Sequence, residues 1–381
     1  MHKSAAAEIS SYLKHGDYSV AVRRILDLCL DSGVDDLIKK AINWSREYHA
    51  HEKADPGKAL PQNFIDTAEN LLAEATKLET GTWQNYQLVS AEKISKTYSK
   101  GNFSLKPISI SINTGNVLGI VGENGNGKTT LLRCVAGQLA LDNGEIKYHL
   151  LKDPDSYAIK NHIAFIPQRI PKWYGMLKDN LHFSAAIAGI YGDKNDLMVD
   201  FMLERLNLSS YAHLTWSQIS SGYRTRFEIA RILLQKPRLL ILDEPLANLD
   251  INAQQTILTD LIFMAKGSHN PMGIMLSSQQ LHEVEKVADT VLFIRQGECL
   301  YKSNDKEGKI TSNAVEFETT AARETIIDLF GEDNIELQFN GGFYTIISSQ
   351  LSAQQIIGRM IEGQVPVTYF RDITYSTKRF F

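Results

Sequence analysis

Apolar residues recur along the first eighty positions at helical spacing. Tyr18, Val22, Ile25, Leu26 and Cys29 share one face of a helix that starts after Gly16-Asp17. Val34, Leu37, Ile38, Ala41 and Ile42 repeat the stripe, and Ile65, Ala68, Leu71, Leu72, Ala75 and Leu78 form a third. Such stripes bury themselves against other helices, so residues 1–82 are expected to form an α-helical bundle. The stretch around Pro56 breaks the last helix from the others. Two readings of the bundle stand: a docking module for a partner or for the rest of the chain, and an extension that packs on its own chain.

Beyond residue 86 the period changes. Ile108, Ile110 and Ile112 alternate with Ser109, Ser111 and Asn113, the mark of a half-buried strand. Val117 to Val121 is a short apolar strand that runs into a glycine-rich loop and a helical stretch, and Leu239 to Leu242 is a second. Strands separated by helices predict an α/β domain with a largely parallel sheet over 86–304. Over 305–381 the order becomes strand (Val315 to Glu318), helix (Thr319 to Phe330), two strands (Ile335 to Phe339 and Phe343 to Ile347), helix (Ser352 to Glu362) and strand (Val365 to Phe370). Asn340-Gly341-Gly342 suits a hairpin between the middle strands. This β-α-β-β-α-β order predicts a ferredoxin-like α+β extension.

Composition narrows the class. The 381 residues exceed what one hydrophobic core usually supports, so two or three domains are expected. A net charge of −4 gives no support for a broadly basic nucleic-acid surface, and no nucleic-acid partner is expected. Cys29, Cys134 and Cys299 are odd in number and far apart, which suits a reducing interior and neither a disulfide framework nor a metal cluster. No run approaches the ~20 apolar residues of a membrane span, and the N-terminus lacks a signal-peptide core. The chain is therefore expected to be cytoplasmic and to meet a membrane only through a partner.

The glycine-rich loop is GENGNGKTT. Gly122, Gly127, Lys128 and Thr129 fit the GxxxxGK[ST] template between a predicted strand and helix. Glycines let the backbone wrap closely enough for successive N–H groups to face phosphate oxygens, and the helix N-terminus adds partial positive charge. Gly122, Asn124, Gly125, Asn126, Gly127, Lys128, Thr129 and Thr130 are thus candidate nucleotide contacts, with Lys128 reaching the β- and γ-phosphates and Thr129 a ligand for Mg²⁺. LLILDEP, from Leu239 to Pro245, is an apolar strand ending in two acids. Asp243 is expected in the Mg²⁺ shell, and Glu244 is placed to orient or deprotonate an attacking water.

The run from Ile219 to Asp250, ISSGYRTRFEIARILLQKPRLLILDEPLANLD, resembles the block that defines the ATP-binding-cassette (ABC) superfamily. Ser220 and Gly222 match the serine and second glycine of its LSGGQ signature, while Ser221 replaces the first glycine and Tyr223 the glutamine. Ser220 also stands where a serine can cap the following helix. Asp250 is similar to the D-loop aspartate and Gln168, in FIPQ, to the Q-loop glutamine that touches Mg²⁺ and water. Tyr98 sits where an aromatic of the family stacks on adenine; an ordinary strand-end aromatic and a solvated loop glutamine are the plain readings of Tyr98 and Gln168. The resemblance covers roughly 86–300. It implies an ATPase using Mg-ATP, with the signature of one subunit closing on the phosphate loop of a second cassette subunit, identical or different, around two ATP molecules. It also implies a helical subdomain over about 170–235 and a transmembrane permease on separate chains.

One departure stands out. Where the family usually carries a switch histidine, IMLSSQQLHEVEKVADTVLFI places Gln279, and His282 lies three residues later. Glutamine can donate a hydrogen bond to a phosphate oxygen but cannot shuttle a proton, so turnover is expected to persist but to be slow. His282 or water taking the role is the alternative. The 51 residues between Gln168 and Ser220 suit transporter cassettes and not the long coiled coils of recombination-type relatives. Trp173, Tyr174, Met176 and Leu177 either line a groove for a permease helix or pack within the helical subdomain. The C-terminal extension, closing on YFRDITYSTKRFF with an expected terminal helix, resembles that of drug, antibiotic and polysaccharide exporters. Export is therefore the expected role, with a slow-cycling regulatory protein that recruits partners through its N-terminal helices as the alternative.

Overall fold

A computed structural model describes residues 2–77, 85–98, 103–151, 156–247, 249–267, 271–302, 312–331 and 335–374. The chain begins with α1 (His2–His15), α2 (Tyr18–Asp31), α3 (Asp35–Ala54) and α4 (Gln62–Lys77). The first of these falls within the helical stretch expected over 1–82, although no stripe marked it, because its SAAAEISSYL run carries only Ile9 and Leu13 as large buried residues. Most positions of the stripes expected from the sequence are buried, with Val22, Ile25, Leu26, Ile38 and Leu71 inside, but Val34, which precedes α3, is 40% exposed. Leu78 lies outside the described residues.

The middle of the chain runs β1 (Gln87–Thr97), β2 (Ser104–Asn113), β3 (Val117–Val121), α5 (Lys128–Val135), β4 (Asn143–Tyr148), α6 (Ser156–His162) and β5 (Ile163–Ile166). It continues through α7 (Leu177–Ile187), α8 (Gly192–Arg205), α9 (Ser221–Leu233), β6 (Leu239–Leu242), α10 (Ile251–Ala265), β7 (Gly273–Ser278), α11 (Leu281–Glu285), β8 (Thr290–Arg295) and β9 (Glu298–Lys302). Six strands form a sheet in the order β5-β6-β7-β3-β8-β9, parallel except for the antiparallel edge β9. Both faces are covered, as a parallel sheet requires. Val117, Val121, Leu240 and Leu242 join one core, which continues through the helices α7 to α9 into the N-terminal bundle. Leu118, Ile120, Leu239 and Ile241 join another, closed by α5 and by the antiparallel sheet β2-β1-β4.

The bundle has no core of its own: it packs on its own chain, through α8 and α10. Arg205 at the end of α8 reaches both Asp27 of α2 (2.6 and 3.1 Å) and Asp260 of α10 (2.7 Å). Arg23 of α2 adds a second cation 3.0 Å from Asp260. From α3, Arg46 holds Asp200 at 2.9 Å and Glu204 at 3.1 Å, and the guanidinium of Arg24 lies 4.2 Å over the Phe263 ring.

The last module comprises β10 (Asn313–Thr319), α12 (Arg323–Leu329), β11 (Ile335–Asn340), β12 (Phe343–Ser348), α13 (Ala353–Glu362) and β13 (Val367–Asp372). Its antiparallel order β11-β12-β10-β13 is the ferredoxin-like arrangement, with a separate core around Phe317, Phe330, Ile346 and Ile356. The first helix starts later than its pattern suggested. Thr319 still belongs to β10, and its hydroxyl accepts from the Ala321 N–H, a side-chain turn that delays helix onset. The expected terminal helix falls on 375–381, outside the described residues. No helix among the described residues is long and apolar enough to cross a membrane.

Candidate functional site

The parallel strands end together. Ile166, Leu242 and Leu276 are in register across β5, β6 and β7, and Val121 pairs with Ser278. The loops that follow these ends therefore converge, the usual place for a ligand crevice in an open α/β sheet.

After β3 the chain enters the glycine-rich loop. A side chain at Gly122 would meet the Ile294 carbonyl oxygen at 2.2 Å. Gly127 sits at φ 102°, a conformation glycine alone adopts freely, and any Cβ there would lie 2.5 Å from the Phe103 ring. The loop delivers Lys128 and Thr129 to the start of α5. Lys128 is buried and donates to the carbonyls of Gly122 (2.6 Å) and Glu123 (3.1 Å). Its Nζ also lies 2.9 Å from Glu244 Oε1, an ion pair whose direction is too oblique for an aligned hydrogen bond.

The other half of the site follows β6. Thr129 Oγ1 donates to Asp243 Oδ2 at 2.8 Å, while Asp243 Oδ1 accepts from Ser277 Oγ at 2.7 Å. Ser277 Oγ in turn accepts from the Glu244 N–H at 2.9 Å. Glu244 has φ 52°, a left-handed conformation that costs a non-glycine residue roughly 1–3 kcal/mol. Ser277 was missed in the sequence because it reads as one more small residue on a buried strand; its signal was a hydroxyl inside an apolar β7.

The crevice between these groups, about 360 Å³, is lined by Tyr98, Asn124, Gly125, Lys128, Thr130 and Gln168, together with Phe103, Glu123, Gly127, Thr129 and Glu244. Tyr98 is partly exposed, its hydroxyl 3.4 Å from Thr130 Oγ1 and its ring 6.3 Å from that of Phe103. Phe103 was not anticipated, since the apolar alternation of β2 starts after it. Asn126 differs from expectation: its side chain accepts from the Gln296 N–H at 2.8 Å and anchors the loop to the β8–β9 turn, away from the crevice. Gln168 also lines a neighbouring pocket of about 210 Å³ shared with Ser221, Asp243 and Glu244.

Ser220 and Ser221 are exposed at the start of α9, outside the Lys128 crevice. Ser220 occupies the N-cap position but makes no capping hydrogen bond, so the expected cap is absent and the residue is exposed. Gly222 lies against the D-loop: a Cβ there would be 3.4 Å from Leu249. Tyr223, in place of glutamine, turns back onto Tyr211, ring centroids 3.9 Å apart, and burial pushes its hydroxyl up to about 12. Asp250 caps α10, accepting from the Ala253 N–H at 2.9 Å. Gln279 follows β7 beside the origin of the phosphate loop but is exposed and does not line the crevice. The side chain of His282 lies outside the described residues.

Among the described residues, no three His, Cys, Asp or Glu side chains converge as a metal cage. Thr129 and Asp243 instead present a hydroxyl and a carboxylate side by side. That sparse oxygen set suits Mg²⁺, which prefers one or two protein ligands plus phosphates to an all-protein cage.

Of the four aromatic and apolar residues after Gln168, two pack and two do not. Trp173 stacks on Trp216 (5.0 Å) and donates to Glu228 at 3.2 Å, and Leu177 is fully buried. Tyr174 is 82% exposed and Met176 52%, with Phe183, Ile187 and Tyr191 equally open nearby in sequence. A groove of about 360 Å³ runs between Tyr174, Phe183 and Ile187.

A glycine loop between strand and helix, with its lysine against an acid pair just beyond the end of β6, one strand removed from β3, defines a P-loop ATPase. Comparison with known proteins narrows this. Residues 105–247 match the family described as ABC transporter. The chain is 31% identical over 224 residues to the uncharacterized ABC transporter ATP-binding protein YxlF of Bacillus subtilis, covering 58% of this chain and 72% of that protein. The phosphonates import ATP-binding protein PhnC of Treponema denticola is 28% identical (56% of this chain, 88% of that one), and the SkfA peptide export ATP-binding protein SkfE of B. subtilis 29% (56% and 88%). Among solved structures, cbiO1 of Clostridium perfringens, part of the cbiONQ ABC transporter complex, superposes with a TM-score of 0.52 at 27% identity, over 58% of this chain and 90% of that one. The chain belongs to the ATP-binding proteins of ABC transporters and is an ABC-type ATPase.

Proposed function

We propose that the chain pairs with a second cassette around two Mg-ATP and drives a separate transmembrane permease in export, working from the cytoplasmic face of the membrane. The observation that carries this reading is the Lys128–Glu244 ion pair beside the Thr129–Asp243 contact. Phosphate oxygens entering the crevice compete for the Lys128 ammonium. Its withdrawal frees Glu244, already fixed by Ser277 at its N–H, to take a proton from water. Thr129, Asp243 and Gln168 are the groups that would hold Mg²⁺, which when bound neutralises phosphate charge. Tyr98 would stack on the base, the loop amides from Gly122 to Thr130 would cradle phosphates, and the exposed Ser220 and Ser221 together with Gly222 would serve the partner's nucleotide, next to Asp250. Gln279 would reach a phosphate oxygen by a hydrogen bond.

The exposed Tyr174, Met176, Phe183 and Ile187 supply an apolar surface of the kind that receives a partner helix. The cbiONQ complex, which contains cbiO1, supports a permease partner. Export rests on the C-terminal ferredoxin-like extension, since the relatives include both import and export proteins. A second reading, a slow-cycling regulatory protein, draws on the exposed Gln279 outside the crevice.

The test is ATP hydrolysis by the purified chain, alone and with its permease. Hydrolysis that Glu244→Gln lowers by about 10²–10⁴-fold with ATP binding retained supports the motor reading. Absence of turnover under both conditions favours the regulatory one. ATP-dependent accumulation in inside-out vesicles, as opposed to right-side-out ones, supports export.

A further inference from the structure

Where the bundle meets the cassette, the packing opens into a cavity of about 480 Å³, larger than the crevice at Lys128. Protein interiors seldom leave voids much above the size of a water molecule, whereas small-molecule sites run from about 300 to 1,000 Å³. The walls come from α2, α3, α8 and α10 and from the segments entering β6 and β7. They are mainly apolar, and four of the eight methionines of the chain line them: Met198, Met202, Met264 and Met272. Flexible thioethers reshape around a guest more readily than branched side chains. A mainly apolar lining interrupted by charged groups suits an occupant that is itself amphiphilic.

The charges at the cavity are unevenly committed. Asp27 is gripped by Arg205 at 2.6 and 3.1 Å, Lys194 is paired with Asp35, and Asp31 is engaged as well. Lys236, exposed at the rim, makes no ion pair with a described residue, and Arg238 lies two positions on, half-buried. The site therefore offers a hydrocarbon-lined interior with an unneutralised ammonium at its mouth.

We propose that this cavity binds an amphiphilic carboxylate of the fatty-acid type, its chain among the four methionines and its carboxylate at Lys236. The site is distinct from the nucleotide crevice, and the proposal does not depend on the chain's transport role.

The probe is dodecanoate, titrated calorimetrically below its micellar concentration into the full chain, with dodecanol as the uncharged control. Saturable binding of one molecule per chain is expected. The surface change Lys236→Glu should weaken dodecanoate at least tenfold and leave dodecanol unchanged, while Met202→Trp, which fills the cavity, should abolish both. Lack of saturable binding by the wild-type chain overturns the proposal. So does dodecanoate binding that Lys236→Glu leaves unaltered, because the carboxylate is then not read at this mouth.

Discussion

Replacing Arg205 with methionine tests whether the bundle and the cassette are one cooperative body. The guanidinium is 4% exposed and holds two carboxylates, Asp27 and Asp260. Burial works against its charge, but the two acids more than offset that, and its affinity for the proton is raised. Removing it leaves Asp260, 5% exposed, with Arg23 alone at 3.0 Å. Asp27 is 23% exposed, so water can reach it, and Arg24 stands 3.7 Å away. Breaking a buried pair by deleting one partner costs about 3–5 kcal/mol, and the surviving Arg23 contact places Arg205→Met near the lower bound, about 3 kcal/mol. The comparison is Lys106→Met, whose side chain is 56% exposed and pairs with Glu298, itself 51% exposed, so that its loss should cost about 1 kcal/mol or less. Urea unfolding followed by tryptophan fluorescence reads both, since Trp44 reports on the bundle and Trp173 and Trp216 on the helices beyond it. Equal losses for the two variants, or an Arg205→Met loss below about 1 kcal/mol, would refute the reasoning that Arg205 ties α2 to α10.

Three further outcomes follow from the geometry. Burial holds the His49 imidazole below its usual range, outweighing the pull of Glu204 and Glu52. The unfolded chain then binds the extra proton first, so stability contributed by neutral His49 is present above about pH 6.5 and is lost as the pH falls from there toward the folded value. Melting temperatures measured at pH 7.5 and 5.5 should differ less for His49→Gln than for the wild type, and an unchanged difference would remove His49 from the account. Ser277→Ala strips the Glu244 N–H of its acceptor and Asp243 of a donor, at a cost of about 1–3 kcal/mol. Its ATPase rate should fall below wild type, and a variant with unaltered stability and rate would show the link to be idle. Gly127→Ala puts a methyl 2.5 Å from Phe103 at φ 102° and should abolish the ATP-induced rise in melting temperature. Adding Phe103→Ala relieves the contact but not the backbone strain, so the double variant should recover little.

Some of this was legible in the chain alone because it depends on local chemistry. A glycine loop followed by Lys128 and Thr129 specifies its own backbone, since close approach to Ile294 and a left-handed φ exclude other residues. Alternation and helical stripes marked β2, β3, β6, the bundle and the β-α-β-β-α-β order for the same reason: each element must bury one face. The strands β1, β4, β5, β8 and β9 were not separately marked, being short or interrupted by register shifts. The turn at Thr319 moved the start of α12 through one side-chain hydrogen bond.

Sequence by itself thus determined the family and the three-part order of the fold, and it named Lys128, Asp243 and Glu244 as candidates that the structure brings together. Tertiary structure alone decided how distant pieces meet. It set Ser277 between the two acids, turned Asn126 toward Gln296, left Ser220 uncapped and divided the aromatic run so that Trp173 packs while Tyr174 stays in solvent. It also packed the bundle on its own chain: Arg205 and Asp27 stand 178 residues apart in sequence, yet share a hydrogen bond of 2.6 Å. Local pattern carries the period of an element and the backbone freedom of a glycine. It does not carry which charge neutralises which, because that is fixed only when burial removes water from both partners at once.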